Sequence, residues 1–429
     1  MKKHKMKNLA LFVTFAASLG AVAGAVVWGL LRVMAIGINF VWTTIPAGVG
    51  NEKVYTLAVC LLGGLIIGLW QRKFGILPDS LETVMTQLKE TGTYPYNRLH
   101  ILGVSALLPL FFGGSLGPEA GLTGIIVGLC CWIGDNLKYK SSEVRELANA
   151  GMAATLGIIF NAPFYGIANN LEEKDFSSFG GKNKENEESI FDDQEKKRVK
   201  IMIYIAAILG GFGAMGGLGK LFGGGMGIPR FTASVIPTFH DWIWFVPLLI
   251  LGVLYGMIYV FIDRLTSRIG EKLGKYRIIS CILAGLCLGL MGSFFPLTMF
   301  SGEEQMGEIM RSWTTMSGAF LIGIGLLKLI TLCICVNLGW RGGNIFPIIF
   351  AGTCLGYGMA AITGINPIFA VAVSTACLCA YVMRKPMTAV AVLLLCFPIK
   401  IIIPLAIAAY VGSTVPILKL LMQKKEMEK

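Results

Sequence analysis

The chain has 429 residues, of which 55% are hydrophobic and only 14% are charged, and its mean hydropathy is +0.70. This composition excludes a soluble globular protein of this size, and the long apolar runs exclude the short alternating strands of a membrane β-barrel. The formal charge of +12 does not indicate nucleic-acid binding, because the lysines and arginines lie between and beyond the apolar runs and form no basic patch with interleaved aromatics. The sequence therefore predicts an all-α polytopic membrane protein.

The first apolar segment follows a basic start, MKKHKMK, and contains AVAGA, as a secretory signal peptide also does. The apolar run continues through VVWGLLRVMAIGINFVW without a polar start of a mature protein, so we predict an uncleaved first membrane helix. Basic clusters at both ends of the chain, at Arg72 and Lys73, and at 195–200 flank apolar runs. Such clusters stay in the cytoplasm. They predict a multi-pass plasma-membrane protein, of the bacterial inner-membrane kind, with both termini cytoplasmic.

One polar segment divides the chain into halves of similar length. Residues 172–200 read EEKDFSSFGGKNKENEESIFDDQEKKRVK, and their charge and glycine content predict a mobile cytoplasmic linker. We therefore predict a first membrane repeat with the N-terminal helix at 1–171 and a second repeat at 201–420. A short cytoplasmic tail at 421–429 follows, without a regulatory domain.

The two halves carry similar features in the same order. GILPDSLETVM, FGGSLGPEAG and FNAPFYGIA in the first half correspond to MFSGEEQMGEIM, RGGNIFPIIFAG and MRKPMTAVA in the second. Each series has an acidic amphipathic stretch, a glycine-rich break with a proline, and a polar or basic residue before another proline. Interrupted hydrophobic segments at matching positions of two repeats indicate a transport site where the repeats meet.

The glycine-rich breaks predict helix starts inside the membrane. Glycine permits the turn and proline fits the first helical position, so helices are expected to begin at Gly117-Pro118 and at Phe346-Pro347. A helix start attracts anions through its N–H groups, but each is worth only about 0.3–2 kcal/mol. Desolvation of an ion costs more, so several starts must converge. The two breaks and the turn at 75–78 together predict an anion pathway.

These motifs resemble those of the CLC family of chloride channels and proton-coupled chloride antiporters. GSLGP stands where the family has G-K/R-E-G-P, GNIFP stands at G-x-F-x-P, and FGILP falls at G-S-G-I-P. The resemblance covers nearly the whole chain. It implies a CLC-type inverted repeat of many tilted and broken helices, and a homodimer with one pore in each subunit.

The departures from the family pattern fall on its mechanistic residues. Leu116 occupies the position of the glutamate that gates the path and carries the proton, and no acid lies near Met226 to Ile228, where antiporters have an inner glutamate. Gly75 replaces the serine that coordinates the central anion. Tyr410 lies too early to replace the family's anion-coordinating tyrosine, and Ile345 replaces a phenylalanine. Leucine has neither a charge nor a proton to exchange, so these losses predict passive anion conduction.

The predicted function is chloride transport without catalytic residues, nucleotide, metal or other cofactor. The predicted partners are chloride or another small anion, membrane lipid and a second subunit, with Leu116 as an apolar constriction. The residues expected to form the anion pathway are Gly75, Ile76, Leu77, Ser115, Leu116, Gly117, Pro118, Glu119, Gly343, Asn344, Ile345, Phe346 and Pro347.

Three alternatives remain open at this stage. Glu119 either pairs with the dipole of its own helix or replaces the missing gate, which would make the protein a proton-coupled anion antiporter. The chain could instead be a non-conducting membrane scaffold, or a transporter for another anion such as fluoride or nitrate. Proton movement driven by a chloride gradient distinguishes the antiporter from the passive pathway.

Overall fold

A computed structural model describes residues 2–46, 51–91, 93–136, short pieces between 157 and 168, 193–223, 229–231 and 236–416. The predicted linker up to residue 192, the inner-glutamate position at Met226 to Ile228 and the C-terminal tail lie outside the described residues. Within the described ranges the chain is helical, with one isolated bridge between extended residues. The prediction of an all-α fold is confirmed.

The chain forms two compact units. The first comprises residues 1–39, 77–107 and 118–227, and the second comprises 40–76, 108–117 and 228–429. The described helices are α1 (Lys2–Asn39), α2 (Glu52–Phe74), α3 (Leu81–Thr91), α4 (Leu99–Phe111), α5 (Glu119–Asn136), α6 (Asp193–Phe222), α7 (Phe239–Ile243), α8 (Phe245–Leu273), α9 (Arg277–Phe294), α10 (Glu303–Ser312), α11 (Gly318–Asn337), α12 (Ile345–Thr363), α13 (Pro367–Met383), α14 (Pro386–Leu393) and α15 (Ile402–Thr414).

The first unit is held together by two sets of contacts. Helix α1 packs along α6, and the two backbones approach so closely at Gly20 that a Cβ there would lie 1.9 Å from the Ala207 carbonyl oxygen. A second cluster joins α3 to α5 through buried side chains that include Val84, Tyr94 and Ile125. Small residues at helix contacts are typical of membrane proteins, where close backbone packing replaces the hydrophobic effect as the force that joins helices.

The core of the second unit is built on α12 and α13. Almost every residue of both helices is buried, and α11, α8 and α15 pack around them. Both helices are apolar on all faces, which is expected for helices surrounded by other helices. The second unit therefore holds a central helix, α12, whose first residues belong to the second predicted break.

Six apolar stretches of the described residues are long enough to cross a membrane, and shorter apolar helices accompany them. The short ones include Leu99–Phe111 and Pro367–Met383, below the roughly 20 residues that a full span needs. The combination of full-length and short apolar helices agrees with the prediction of broken membrane segments.

The predicted helix starts lie within two residues of the observed ones. Helix α5 begins at Glu119, directly after Gly117-Pro118. Helix α12 begins at Ile345, two residues before Pro347. Proline is tolerated at this position because N–H groups in the first turn of a helix have no partner within the helix, so none is lost. Helix α6 begins at Asp193, inside the segment predicted as a linker.

Asp241 joins α7 to the start of α13. Its carboxylate accepts hydrogen bonds from the Thr238 N–H (2.7 Å) and hydroxyl (2.8 Å) and from the Asn366 N–H (2.7 Å). Asn366 in turn caps α13 by accepting from the Ile368 and Phe369 N–H groups. Burial would raise the pKa of Asp241, but these hydrogen bonds outweigh it and lower that pKa below its ordinary value.

We expect Asp241→Ala to lower the free energy of unfolding by about 1.5–3 kcal/mol, the contribution of hydrogen bonds to a charged group. Because the pKa of Asp241 is lowered by folding, its stabilisation is complete above the unfolded pKa of about 3.9 and is lost as the pH falls through the folded value. Thermal unfolding in detergent at decreasing pH measures this. The gap between wild type and variant should narrow at acidic pH, whereas Glu308→Ala, which removes an exposed acid, should leave stability nearly unchanged.

Candidate functional site

The two predicted breaks meet in the second unit. The Gly117 N–H donates to the Gly343 carbonyl at 2.8 Å, and the Gly343 N–H donates back to the Gly117 carbonyl at 2.7 Å. This reciprocal pair is an isolated antiparallel bridge between two residues that lie far apart in the sequence. The pair fixes Gly117 of the first break beside Gly343 of the second.

Leu116 lies at this junction and is completely buried. A Cβ on Gly342 would lie 2.8 Å from the Leu116 Cβ, so the second break passes directly over the leucine. A Cβ on Gly114 would lie 3.1 Å from the Leu116 Cδ1 atom and 3.1 Å from the Cε3 atom of the buried Trp340 ring, so Gly114 packs against both side chains. The position at which the family pattern has a glutamate is therefore filled by an apolar side chain packed between both breaks.

Several backbone donors of the predicted pathway are already used within the protein. The Gly75 N–H, at the end of α2, donates to the Gln71 backbone carbonyl at 2.9 Å. The Leu116 N–H donates to the Gly114 carbonyl at 2.8 Å. The N–H groups of Gly117 and Gly343 each donate to the carbonyl of the other residue. Gly75 also has φ = +92°, a conformation that favours glycine, so a serine at this position would be strained.

Ser115 provides a side-chain donor at the first break. The residue is 0% exposed, and its hydroxyl has no hydrogen-bond partner among the residues that the structure describes. Leaving a hydroxyl unsatisfied in a buried place costs about 1–3 kcal/mol, so such groups are normally bonded to protein, water or a ligand. Ser115 was predicted to contribute its backbone, and in the structure its buried hydroxyl is an additional donor.

The second break leads directly into α12. Asn344 precedes the helix without a side-chain cap bond and its amide faces the Tyr259 hydroxyl at 3.4 Å. Ile345, Phe346 and Pro347 are buried in the first turn. The N-terminus of a buried helix carries about half a positive charge, so α12 directs a favourable potential for anions toward the junction.

The remaining predicted residues are divided between the two units. Leu77, Pro118 and Glu119 belong to the first unit, where Leu77 packs against the Val84 cluster and Glu119 is buried in the first turn of α5. The Glu119 carbonyl accepts from the Thr123 hydroxyl at 2.7 Å. In the second unit Ile76 is partly exposed after Gly75, and Tyr410 is 65% exposed on α15.

A buried lysine holds the loop that supports the first break. The Lys328 ammonium group, 0% exposed in the middle of α11, donates to the carbonyls of Thr298 (3.1 Å), Met299 (2.6 Å) and Phe300 (2.6 Å). The Phe300 N–H then donates to the Gly113 carbonyl at 3.1 Å. Lys328 thereby fixes a loop that is bonded directly to the glycine-rich break.

Lys328 was not predicted from the sequence to belong to this site. A single lysine within the apolar stretch GLLKLITLCICV is the signal that could have found Lys328, because ionisable groups inside membrane helices are costly and usually have a role.

One protein family matches most of this chain in comparisons with known proteins. The family model described as voltage gated chloride channel matches residues 63–416, most of the chain. The chain belongs to this CLC family. Its members are membrane proteins, and the predicted family assignment is confirmed.

Relatives and solved structures support the same assignment. A relative named ion-transport protein YfeO, from Escherichia coli O1:K1, is 26% identical over 362 residues, covering 79% of this chain and 78% of the relative. The Shigella flexneri protein of the same name is 24% identical over 374 residues, covering 83% and 80%. Each comparison spans most of both chains.

Two solved structures share the fold at low sequence identity. A slow cyanobacterial Cl⁻/H⁺ antiporter has a TM-score of 0.73 at 17% identity, covering 97% of this chain and 98% of the other. A CLC-type fluoride/proton antiporter has a TM-score of 0.70 at 16% identity, with 96% of both chains covered. These likenesses confirm the CLC-type helical fold.

Proposed function

We propose that the protein conducts small anions passively across the plasma membrane, with chloride as the principal ion. The pathway passes the junction of the two breaks, at Ser115 to Gly117 and Gly343 to Pro347. The observation that carries this proposal is the identity of residue 116: a buried leucine, packed between both breaks, has no proton to exchange for an anion. Family membership and the name of the YfeO relatives support ion transport as the general activity.

The same proposal includes the surroundings of the pathway. Basic residues beside the apolar runs support cytoplasmic termini. The family resemblance supports a homodimer embedded in lipid with one pathway per subunit. No cofactor takes part in this function.

The test is flux from liposomes that hold purified protein and chloride, with chloride and pH electrodes recording together. Valinomycin removes the electrical limit on flux, and a protonophore removes any limit from protons. Chloride efflux without proton movement is the expected result. Uphill proton movement driven by the chloride gradient would overturn the passive mechanism. Efflux of fluoride or nitrate without chloride efflux would show that chloride is not the transported ion. Absence of flux for every anion would favour a non-conducting scaffold.

In this function the Ser115 hydroxyl donates a hydrogen bond to the passing anion. A hydrogen bond to a charged group contributes about 1.5–3 kcal/mol, so we expect Ser115→Ala to weaken apparent chloride affinity about tenfold or more. The chloride dependence of efflux measures this. Ser105→Ala is the matched control, because the Ser105 hydroxyl is also buried but already donates to Ile101 at 2.7 Å. Equal affinities of the two variants and wild type would remove Ser115 as a ligand.

Proton-coupled anion exchange is the second candidate, because the two solved neighbours are a Cl⁻/H⁺ antiporter and a fluoride/proton antiporter. It requires an acid, and Glu119, 1% exposed in the first turn of α5, is the acid nearest in sequence to Leu116. In the passive mechanism Glu119 stabilises the start of α5 and takes no part in transport.

We therefore expect Glu119→Gln to leave the pH dependence of anion flux unchanged. The amide keeps the size of the side chain and removes only its charge and its proton. Efflux measured over a pH series, beside Glu308→Gln as an exposed control, gives the answer. Loss of a pH-dependent component in the Glu119 variant alone would favour exchange.

A further inference from the structure

Three helices of the second unit carry exposed apolar stripes. Helices α2, α8 and α9 belong to stretches long enough to cross a membrane. Exposed apolar side chains recur on each of them at helical spacing, and those nearest to one end are Leu65 and Leu69 on α2, Phe261 and Leu265 on α8, and Ile279 and Leu283 on α9. Large exposed apolar surfaces of this kind mark contact with membrane lipid.

Each stripe ends in exposed basic side chains. On α2, Arg72 follows one turn after the last leucine of the stripe, and Lys73 lies next to it. On α8 the stripe continues to Arg268 and Lys272, and Lys275 lies one turn before the stripe of α9. Arg72, Lys73, Arg268, Lys272 and Lys275 are together called the basic rim.

The residues of the basic rim lie at the same end of the three helices. Helices α2 and α9 are antiparallel, because a Cβ on Gly68 would lie 2.8 Å from the Ile278 Cα and a Cβ on Gly289 would lie 3.0 Å from the Leu57 Cα. The end of α2 therefore lies beside the start of α9. Helix α8 leads into the same start through the short 3₁₀-helix Gly274–Tyr276, so its last turn lies there as well.

The positive charge is concentrated at this end. The exposed neighbours of the rim, Glu271 and Arg277, carry opposite charges and leave its excess unchanged. At the opposite end of α2, the exposed residues Glu52 and Lys53 also carry opposite charges. The same lipid-facing stripes therefore end in a strongly basic surface on one side only.

Aromatic side chains border the basic rim. The Lys73 ammonium group lies 5.2 Å from the centroid of the Phe74 ring, which packs against Trp70 with 4.3 Å between ring centroids. Tyr276, next to Lys275, is exposed. Because tryptophan and tyrosine are enriched where membrane proteins cross the boundary between lipid and water, the rim lies at the depth of the lipid headgroups.

We propose that the basic rim binds anionic phospholipids, with the lipid phosphates on its lysines and arginines and the acyl chains along the apolar stripes. Clusters of basic residues directly beside membrane helices bind anionic headgroups, whose charge complements that of the rim. A zwitterionic lipid offers the same hydrocarbon without a net charge, so the rim distinguishes the two lipids by charge. This binding does not depend on the proposed anion conduction.

The test is native mass spectrometry of the purified full chain in detergent, with added phosphatidylglycerol or phosphatidylcholine of identical acyl chains. The rim variant combines Arg72→Gln, Lys272→Gln and Lys275→Gln. The control variant combines Lys53→Gln, Arg311→Gln and Lys400→Gln, which remove the same charge from exposed residues outside the rim. Each basic residue near an anionic surface contributes about fivefold in affinity, so we expect the rim variant to bind phosphatidylglycerol at least about tenfold more weakly than wild type. The control should bind it nearly as tightly as wild type.

Four results would overturn the proposal. Wild type could bind both lipids equally, or the rim variant could bind phosphatidylglycerol as tightly as wild type. Equal losses in the rim and control variants would assign the effect to net charge rather than to the rim. Displacement of phosphatidylglycerol by an equal concentration of inorganic phosphate would show a site for free anions instead of lipid. Liposomes without chloride flux would overturn only the proposed conduction, because lipid binding is measured without transport.

Discussion

Replacing Leu116 by glutamate is expected to lower anion efflux at neutral pH by about tenfold or more. The variant places a carboxylate at the junction of the two breaks, where Leu116 is 0% exposed and touches the second break at Gly342. A negative charge held there competes with the anion for the same positive potential, and each tenfold loss corresponds to about 1.4 kcal/mol. As the pH falls and the carboxylate takes up a proton, flux should recover.

Leu116→Gln separates charge from shape in this experiment. Glutamine has the size and polarity of glutamic acid without its charge, so its flux should show no recovery at acidic pH. The measurement is chloride efflux from liposomes over a pH series for wild type and both variants. If the glutamate and glutamine variants behave alike at every pH, the anion does not pass residue 116 and the proposed pathway is wrong.

Replacing Lys328 by methionine is expected to cause a large loss of stability, about 3–5 kcal/mol. The variant leaves the carbonyls of Thr298, Met299 and Phe300 without their shared donor inside the second unit, and each unsatisfied buried carbonyl costs about 1–3 kcal/mol. The Met side chain fills nearly the same space, so the effect reports the lost ammonium group rather than a cavity.

Thermal unfolding in detergent measures the Lys328→Met effect, and Lys275→Met is its control. Lys275 is exposed after α8, so removing its charge should change stability little. Because the 298–300 loop bonds Gly113, folded Lys328→Met protein should also show reduced anion efflux. A variant as stable and as active as wild type would mean that the ammonium group is not required to hold the loop.

Features that depend on neighbouring residues could be predicted from the sequence. Apolar runs too long for a soluble protein predicted the membrane class, because hydrocarbon requires each spanning segment to satisfy its own backbone. The starts of α5 and α12 were predicted within two residues, because glycine and proline act on the backbone at their own positions. The motif order also predicted the family, which the comparison over 63–416 confirms.

Features that depend on distant residues required the tertiary structure. No local pattern indicates that Gly117 and Gly343 exchange hydrogen bonds and so use the donors that seemed available for an anion. The partners of Lys328 lie about thirty positions earlier in the chain. The sequence by itself determined the class, the breaks and the family, since these follow from composition and backbone preference. Only the tertiary structure decided which donors remain, because the pairing of distant groups depends on packing rather than on local propensity.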